Sequence, residues 1–429
     1  MNEDFLQFIW KFRLYDISNL KTDSGEEVQV ISVGIQNKNS GPDFYDAKIK
    51  IGDTVWAGTV EVHKKSSDWI HHGHQNDKAY NNVILHVVEK NDTVIERAGG
   101  EALPALEITY PETFKQRYEE LCESKHHIPC ANYISGVDAF KIKFWLQRLA
   151  TERLERKTEE INSLIDVTYN DIEEIFHHVL FKHFGFKTNA LPFEMLARSI
   201  SAQILRKYHH SLPLLEALLF GQAGFLGSET EDEYSRNLKS EYEFLQNKHN
   251  LVRMDKTLWK YAKLRPGNFP TVRIAQIAAL FHKYQNLWET LIRLDDINEV
   301  YEFFDVTASE YWENHYVFGK ISPARPKKLG KTTIDILIVN VLSPMFFAYS
   351  VYKDDDRLRE KAIHFLEIAG AESNSAVDEW QRYGIKPCNA LESQALLHLS
   401  AEYCSKRKCL KCAIGKDVIQ NIITHNNSI

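Results

Sequence analysis

The pattern of the chain changes once, at Pro111, and this change constrains the fold more than any other feature. After Pro111, almost every segment spaces its apolar residues three or four apart, as amphipathic helices do. Residues 1–14 show the same spacing and predict a first helix. Between them lie five short runs rich in β-branched and aromatic residues, which favour strands: residues 28–33, 44–51, 54–63, 82–88 and 93–97. We therefore predict an α+β protein, with a small mixed β-sheet domain over residues 1–110 and a large all-helical domain over residues 111–429.

Composition places the chain among ordinary folded proteins. Of its 429 residues, 44% are apolar and 26% are charged, and the net charge is −7. The N-terminus lacks a basic segment followed by an apolar one, so we expect a cytoplasmic protein whose thiols stay reduced. The most apolar late run, residues 334–349, is interrupted by Asp335, Asn340 and Pro344, which predicts a buried helix and no membrane partner.

A hairpin in the β-rich part gathers chemically active side chains. Residues 44–51 and 54–63 read as two strands joined by a two-residue turn. Because side chains alternate between the faces of a strand, Glu61 and His63 share one face. Antiparallel pairing then brings Asp43, at the start of the first strand, close to Glu61 or His63, at the end of the second. Carboxylates and imidazoles at one point suit a divalent cation and the activation of a water molecule.

Histidine is unusually dense in the same region. Five of the 18 histidines fall within residues 63–86, although surface histidines without a ligand role are the plainer interpretation of such a segment. We interpret His71 as a loop residue. The remaining polar residues of the segment are auxiliary candidates for the site: His72, His74, Asp77 and His86.

The pairs Pro42-Asp43 and Glu61-Val62-His63 resemble the PD-(D/E)XK nuclease superfamily, in which Pro-Asp on one strand and Glu-x-Lys on the next hold Mg²⁺ and a water molecule. The resemblance implies that Asp43 and Glu61 bind Mg²⁺ or Mn²⁺. His63 replaces the usual lysine and would position or deprotonate the water, with Lys64 directly after it. A first-helix carboxylate often helps this site, which makes Glu3 a minor candidate. The missing lysine supports the alternative of a degenerate nuclease fold without activity.

The chain also resembles, over nearly its full length, an uncharacterised bacterial family known only as a domain of unknown function. This resemblance implies no activity. It rests on these stretches: Gly41-Pro42-Asp43-Phe44, Val60-Glu61-Val62-His63, EALLFGQAGF at 216–225, RPGNFP at 265–270, and the cysteine-rich C-terminus.

Three cysteines form a C-x4-C-x2-C pattern at Cys404, Cys409 and Cys412. Such a density of thiols in a reduced protein predicts a metal, either zinc or a [4Fe–4S] cluster, with Cys130 or Cys388 as fourth ligand. Cys130 is preferred, because it would close a long loop. The layout resembles that of some iron–sulfur PD-(D/E)XK nucleases and of some helical DNA glycosylases, with different spacing. Ordinary packing of reduced cysteines is the alternative.

Basic residues cluster in three stretches in spite of the net negative charge. Residues 319–333 and 404–416 contain no acidic residue, and residues 253–273 hold six basic residues against one aspartate. These stretches suit phosphate contacts, although basic loops are often only solvated. The candidates for nucleic-acid binding are Arg265, Arg273, Arg325, Lys327, Lys328, Lys331 and Arg407.

Together these patterns predict a metal-dependent hydrolase of phosphodiester bonds, with DNA as its partner and substrate. Two alternatives stay open. One is a non-enzymatic nucleic-acid-binding or scaffold protein, and the other is a His/Asp metallohydrolase of a small substrate. The sequence does not identify protein partners.

Overall fold

The computed structural model of the chain describes residues 3–97, 99–165, 168, 170–227 and 232–421. It has the predicted α+β architecture, with a small mixed sheet near the N-terminus and a large helical part after it. The chain divides into two compact units. Unit 1 comprises Met1–Trp145 and Ser400–Ile429, and unit 2 comprises Leu146–Leu399. The sequence-based boundary at residue 110 stays a prediction.

A six-stranded sheet forms the centre of unit 1, with the strand order β1-β3-β4-β5-β6 and with β2 also paired to β3. Strand β3 is antiparallel to β1, β2 and β4, whereas β5 is parallel to both β4 and β6, so the sheet is mixed. The strands are β1 Val28–Ser32, β2 Ile35–Gln36, β3 Phe44–Ile51, β4 Thr54–Lys65, β5 Val83–Lys90 and β6 Ala105–Glu107.

The predicted hairpin is β3–β4. Strand β3 buries Ala47, Ile49 and Ile51 and exposes the lysine at 48 between them, as a half-buried strand does. Gly52 begins the tight turn with a φ of 57°. The C-terminal half of β4 differs, because its central position between β3 and β5 buries residues on both faces. Glu61 and His63 are thereby placed in the interior of unit 1.

Five helices contribute to unit 1. Helix α1 buries its apolar face and packs on β4, with acidic residues in its first turn and Lys11 in its last, which suits the helix dipole. Helix α4 continues into unit 2. The helices are α1 Glu3–Lys11, α2 Asp68–His71, α3 Glu112–Glu123, α4 Ala139–Asn162 and, near the C-terminus, α18 Ala413–Gln420.

Within the described part of unit 2, the regular structure is helical apart from a short hairpin of β7 His315–Val317 and β8 Lys320–Ile321. A π-helical turn, Ile338–Leu342, joins α13 to α14. The combined Lys331–Lys353 helix is long and apolar enough to cross a membrane, but 72% of its apolar window is buried inside the protein. The helices are α5 Ile172–Phe184, α6 Ala190–Ser199, α7 Ala202–Lys207, α8 Leu212–Gln222, α9 Glu233–His249, α10 Pro270–Lys283, α11 Leu287–Leu291, α12 Ile297–Phe304, α13 Lys331–Leu337, α14 Ser343–Lys353, α15 Asp356–Ile368, α16 Ser375–Arg382 and α17 Ala390–His398.

Two elements of the sheet differ from the sequence prediction. The run 93–97 is not a strand, since only Glu96 pairs, with Ala102, and Val94 is 61% exposed. Strand β6 was missed instead, because it has only three residues and follows Pro104, which leaves no alternating pattern to recognise. β-propensity alone therefore placed the last strand too early in the chain.

Helix α8 buries a carboxylate in unit 2. The side chain of Glu216 is 1% exposed, and it accepts hydrogen bonds of 2.7 Å from the hydroxyl groups of Tyr234 and Ser309. Both partners are neutral, so burial dominates and raises the pKa of Glu216 to about 7. This residue belongs to the EALLFGQAGF stretch.

We expect Glu216 to make the unfolding free energy depend on pH. Its folded-state pKa lies above the ordinary 4.5, so the stability contributed by protonated Glu216 is fully present below pH 4.5 and is lost as pH rises through about 7. The unfolding free energy of Glu216→Gln should therefore rise relative to that of wild type by on the order of 3 kcal/mol as the pH increases from 4.5 to above 7. This makes Glu216→Gln the more stable protein above pH 7. Denaturant unfolding at several pH values measures this. The exposed Glu241→Gln is the control, and an equal pH profile for both variants would contradict the prediction.

Candidate metal site

Two backbone hydrogen bonds lock the carboxylates of Asp43 and Glu61 to each other's strand. The amide of Asp43 donates to Oε2 of Glu61 at 3.0 Å, and the amide of Val62 donates to Oδ2 of Asp43 at 3.1 Å. The remaining oxygen of Asp43 accepts a bond of 2.7 Å from Nε2 of Gln7 on α1. Antiparallel pairing of β3 and β4 thus brings both carboxylates together, as the hairpin predicted.

Imidazoles surround the free oxygen of Glu61. Its Oε1 lies 3.4 Å from Nε2 of His63 and 3.4 Å from Nε2 of His74. Nδ1 of His72 lies 3.2 Å from Nε2 of His63. The candidate ligand atoms of His63, His72 and His74 all lie within 4.8 Å of one another, which is a spacing that one metal ion can bridge.

The three imidazoles come from different local structures. His63 is a buried residue of β4, and the short helix α2 ends just before His72, which is exposed. Gly73 follows with a φ of 76°, and this left-handed residue turns the chain so that His74 faces back toward Glu61. The cluster therefore has one buried, one half-buried and one exposed imidazole, which gives it an open side.

Electrostatic interactions shift the pKa values of the two carboxylates in opposite directions. Burial and the nearby charge of Glu61 raise the pKa of Asp43 to about 7, and Glu3 adds to the same effect. Burial alone would raise the pKa of Glu61 as well, but the hydrogen bonds from His63 and His74 outweigh it and lower this pKa to about 2. A cation would relieve the repulsion that keeps Asp43 protonated, so the pair is suited to bind one.

His86 lies behind the cluster on the parallel strand β5. It is fully buried, and its Nε2 lies 2.9 Å from Nδ1 of His63. Burial and the neighbouring His63 lower the pKa of His86 to about 3, so its ring is neutral at physiological pH. The register of β4 and β5 pairs Glu61 directly with His86. His86 thus orients His63 rather than facing the open side.

The other candidates occupy different positions. Lys64 follows His63 on the strand and therefore points to the opposite face. Asp77 is exposed and accepts from the amide of Ala79 at 2.9 Å, so it caps the turn after the cluster. Glu3 is half-buried at the start of α1, where its charge acts on Asp43. His71 was predicted to be a loop residue, which is wrong, because it is the last residue of helix α2; its side chain is 72% exposed.

Three site neighbours escaped sequence analysis. Gln7 bonds Asp43, Tyr80 stacks on His74 with ring centroids 3.8 Å apart, and Trp69 packs edge-on against His74. Gln7 carries no motif, and its spacing from Asp43 gives no local signal. Tyr80 and Trp69 stood in the histidine segment, where aromatic residues usually serve packing. They hold the imidazoles in place by ring contacts.

The predicted metal-binding cysteines also lie in unit 1. Cys130, Cys404, Cys409 and Cys412 are buried, whereas Cys388 is exposed and belongs to unit 2. Burial raises the pKa of Cys130, and the charges of Cys412 and Cys409 add to this effect.

Two of the predicted phosphate-binding residues are buried and donate hydrogen bonds to other parts of the protein. Arg273 is 3% exposed and donates to Gln276 and Asn268. Lys327 is 5% exposed and donates to the carbonyls of Glu313 and Arg325. The exposure that a phosphate contact needs is lacking at both, which corrects the prediction for these two residues.

The remaining basic candidates have varied surroundings. Arg407 of unit 1 is half-buried and donates to the carbonyls of Ser124, His126 and Cys404, so it ties the C-terminal segment to the chain after α3. Lys328 pairs with Asp305 at 3.5 Å. The other three belong to unit 2 and have exposed side chains: Arg265, Arg325 and Lys331.

No curated protein and no solved structure matches the chain. Residues 3–375 match a family model. This match includes the Asp43, Glu61 and histidine segments and ends before the three C-terminal cysteines. The chain belongs to this family, which is described as "Protein of unknown function (DUF2851)".

Proposed function

We propose that the protein is a divalent-metal-dependent hydrolase of phosphodiester bonds, with DNA as substrate. One observation carries the proposal. The carboxylates of Asp43 and Glu61 are interlocked on adjacent strands, beside an imidazole trio whose ligand atoms lie within 4.8 Å of one another. Paired carboxylates with an adjacent base are what metal-assisted hydrolysis requires. The resemblance of Pro42-Asp43 and Glu61-Val62-His63 to nuclease motifs adds to this support.

In this proposal Asp43 and Glu61 hold Mg²⁺ or Mn²⁺. When bound, the cation supplies positive charge that stabilises the negative charge developing on the phosphate. Glu61 is already ionised, because His63 and His74 lower its pKa to about 2, so it offers a charged oxygen without losing a proton. Gln7 keeps the Asp43 carboxylate aligned through its 2.7 Å bond.

His63 is the proposed base. Its Nε2 bonds Oε1 of Glu61 and its Nδ1 contacts His86 at 2.9 Å; with a cation in place of that bond to Glu61, donation from Nδ1 to His86 would leave Nε2 as a proton acceptor. That nitrogen faces Glu61 and His72, on the side where the cluster opens. His63 therefore takes the part that lysine has in the resembling motif, which is to position a water molecule and accept its proton.

A second function has its own supporting observation. Imidazole ligands favour zinc and other transition ions over magnesium, and three imidazoles converge here. A His/Asp metallohydrolase of a small phosphodiester substrate therefore stands as the alternative. It shares the cluster with the first proposal but differs in the preferred metal and in the size of the substrate.

Cleavage assays on the purified full-length chain separate these functions. Plasmid DNA, single-stranded oligonucleotides and a small chromogenic phosphodiester are incubated with Mg²⁺, Mn²⁺ or Zn²⁺. Cleavage of DNA with Mg²⁺ or Mn²⁺ supports the nuclease. Hydrolysis of the small ester alone, with Zn²⁺, supports the metallohydrolase. If neither substrate is cleaved with any metal, a non-enzymatic nucleic-acid-binding or scaffold protein with a degenerate nuclease fold becomes the leading explanation.

Adjacent histidines give a direct test of metal binding. We expect His72→Ala to weaken binding of Mn²⁺ or Zn²⁺ by about 100-fold or more. Even the loss of a residue that only hydrogen-bonds a metal ligand typically lowers the metal affinity by about 10–100-fold. His71→Ala is the matched control, since this neighbour is exposed and faces Asp68 at 3.5 Å instead of the cluster. Isothermal titration calorimetry measures both variants. Equal affinities for the two would remove His72 from the site.

A further inference from the structure

Four buried cysteines of unit 1 make a second set of candidate ligands. Cys130 is 5% exposed, and Cys404, Cys409 and Cys412 are each 6% exposed. All four thiols are therefore withdrawn from solvent within one unit, although Cys130 is far from the others in the sequence.

The surrounding chain is built to bring them together. Helix α18 begins directly after Cys412 and packs on α3 and on the turn Ala131–Gly136, which begins directly after Cys130. The turn Cys409–Lys411 packs on α1 and α3. Arg407 adds hydrogen bonds to the carbonyls of Ser124 and His126. Each contact joins the C-terminal segment to the part of unit 1 that holds Cys130.

A glycine allows the closest of these approaches. A side chain at Gly415 would place its Cβ 2.4 Å from the carbonyl oxygen of Cys409, which no real Cβ contact permits. The turn that carries Cys409 and Cys412 is therefore folded tightly against the first turn of α18. A C-x2-C pair on such a turn has the spacing that structural metal sites use.

The two possible metals need different spacings of the sulfurs. A tetrahedral zinc with bonds of about 2.3 Å brings its sulfurs to within about 3.8 Å of one another. Among the residues that the structure describes, the set of three or more ligand atoms within 4.8 Å of one another is that of the histidines, and the cysteines form no such set. A cube of four irons, each bound by one thiolate, needs wider spacing than a single ion.

We propose that Cys130, Cys404, Cys409 and Cys412 bind a [4Fe–4S] cluster that joins the C-terminal segment to unit 1. Each thiol releases its proton to solvent and binds one iron as thiolate, and no electron transfer is part of the proposal. The nearby Arg407 lowers the energy of the thiolates through its positive charge. The role is structural, since the cluster would close the long loop between Cys130 and Cys404. The proposal does not depend on the hydrolase function.

Metal analysis of the full-length chain tests the proposal. The protein is purified anaerobically, or reconstituted with equal amounts of ferrous and ferric iron and with sulfide, and iron, acid-labile sulfide and zinc are measured. We expect about four irons and four sulfides per chain, with a brown colour and broad absorption near about 400 nm. One zinc without iron would overturn the cluster assignment in favour of a single ion. A chain that holds no metal after reconstitution, and melts identically with and without chelator, would overturn the site altogether.

Variants distinguish the four ligands from the other cysteines. Cys130→Ser and Cys404→Ser should each lose most of the iron and the absorption. Cys388→Ser, at an exposed position, and Cys122→Ser, at a half-buried one, should retain both. Trypsin supplies a readout that does not need a folded variant, because Lys406, Arg407 and Lys408 lie inside the cysteine segment. Removing iron from wild type should end the protection of these bonds, and equal cleavage rates before and after removal would contradict a structural role.

Discussion

Asp43→Asn is expected to lower metal-dependent cleavage by about 10³-fold. A bound cation contributes several kcal/mol of transition-state stabilisation, and about 4 kcal/mol corresponds to about 10³-fold in rate. Loss of one of the two carboxylates should remove most of the binding of the cation, and with it this stabilisation. Fold stability should change little, because loss of the charge relieves the desolvation and the repulsion by Glu61 that raise the pKa of Asp43 to about 7, whereas the new amide group loses one of the hydrogen bonds that Asp43 accepts from Gln7 and Val62. Glu61→Gln should show the same loss of activity. Cleavage kinetics and thermal unfolding measure the two effects separately.

Asp46→Asn, three residues after Asp43, is the control. Asp46 lies on strand β3, is exposed, and has a φ of 57°, which asparagine adopts readily. Asp46→Asn should therefore retain wild-type cleavage and stability. Residual activity within about tenfold of wild type in Asp43→Asn would show that this carboxylate binds no essential metal, and the cation assignment would then fail.

Gly221→Ala is expected to destabilise unit 2 by about 3 kcal/mol or more, although alanine is the better helix former. Intrinsic propensity favours alanine by only about 1 kcal/mol in a helix interior. The new Cβ would lie 2.1 Å from Cγ of Tyr242 on α9, which is far inside van der Waals contact. The ring cannot move freely, because Tyr242 is 3% exposed and its hydroxyl donates to Gln222 at 3.1 Å. Denaturant unfolding monitored by tryptophan fluorescence measures the change.

Gly267→Ala provides the comparison. Gly267 belongs to the RPGNFP stretch, and a Cβ there would meet nothing within 4 Å. Its substitution should leave the unfolding free energy within about 0.5 kcal/mol of wild type, or raise it slightly by restricting the unfolded chain. If both glycine variants unfolded at the same denaturant concentration, close packing of α8 on Tyr242 would not be the reason for glycine at position 221.

The hairpin β3–β4 shows which features of the fold a local sequence pattern can predict. Alternation and a two-residue turn predicted its strand bounds and the approach of Asp43 to Glu61, and strand β3 runs over the predicted residues. The bulge between Phe44 and Ala47 had no local signal, because a bulge depends on how two strands pair. The parallel pairing of β4 with β5 was equally invisible, and it is this pairing that places His86 beside His63.

The candidate site residues also divide into those that the sequence could select and those that only the tertiary structure reveals. Residue type and density were sufficient to select Asp43, Glu61, His63, His72 and His74, since chemistry follows from the side chain. Spatial neighbours were not accessible in this way, because Gln7 reaches Asp43 from a separate helix. Basic charge was the least informative signal. Arg273 and Lys327 look like solvated phosphate ligands in the sequence, yet packing buries both and directs their donors to protein acceptors.

Composition and short-range periodicity thus sufficed for the α+β class, the first helix and most strands of the sheet, and residue type selected the candidate ligands. These properties depend on interactions within a few residues, which the sequence displays directly. Convergence of three imidazoles beside Glu61, burial of Cys130 in the same unit as the C-terminal cysteines, and burial of Arg273 arose only in the tertiary structure. They depend on contacts between segments far apart in the chain, whose energies come from burial and shape that no local pattern records.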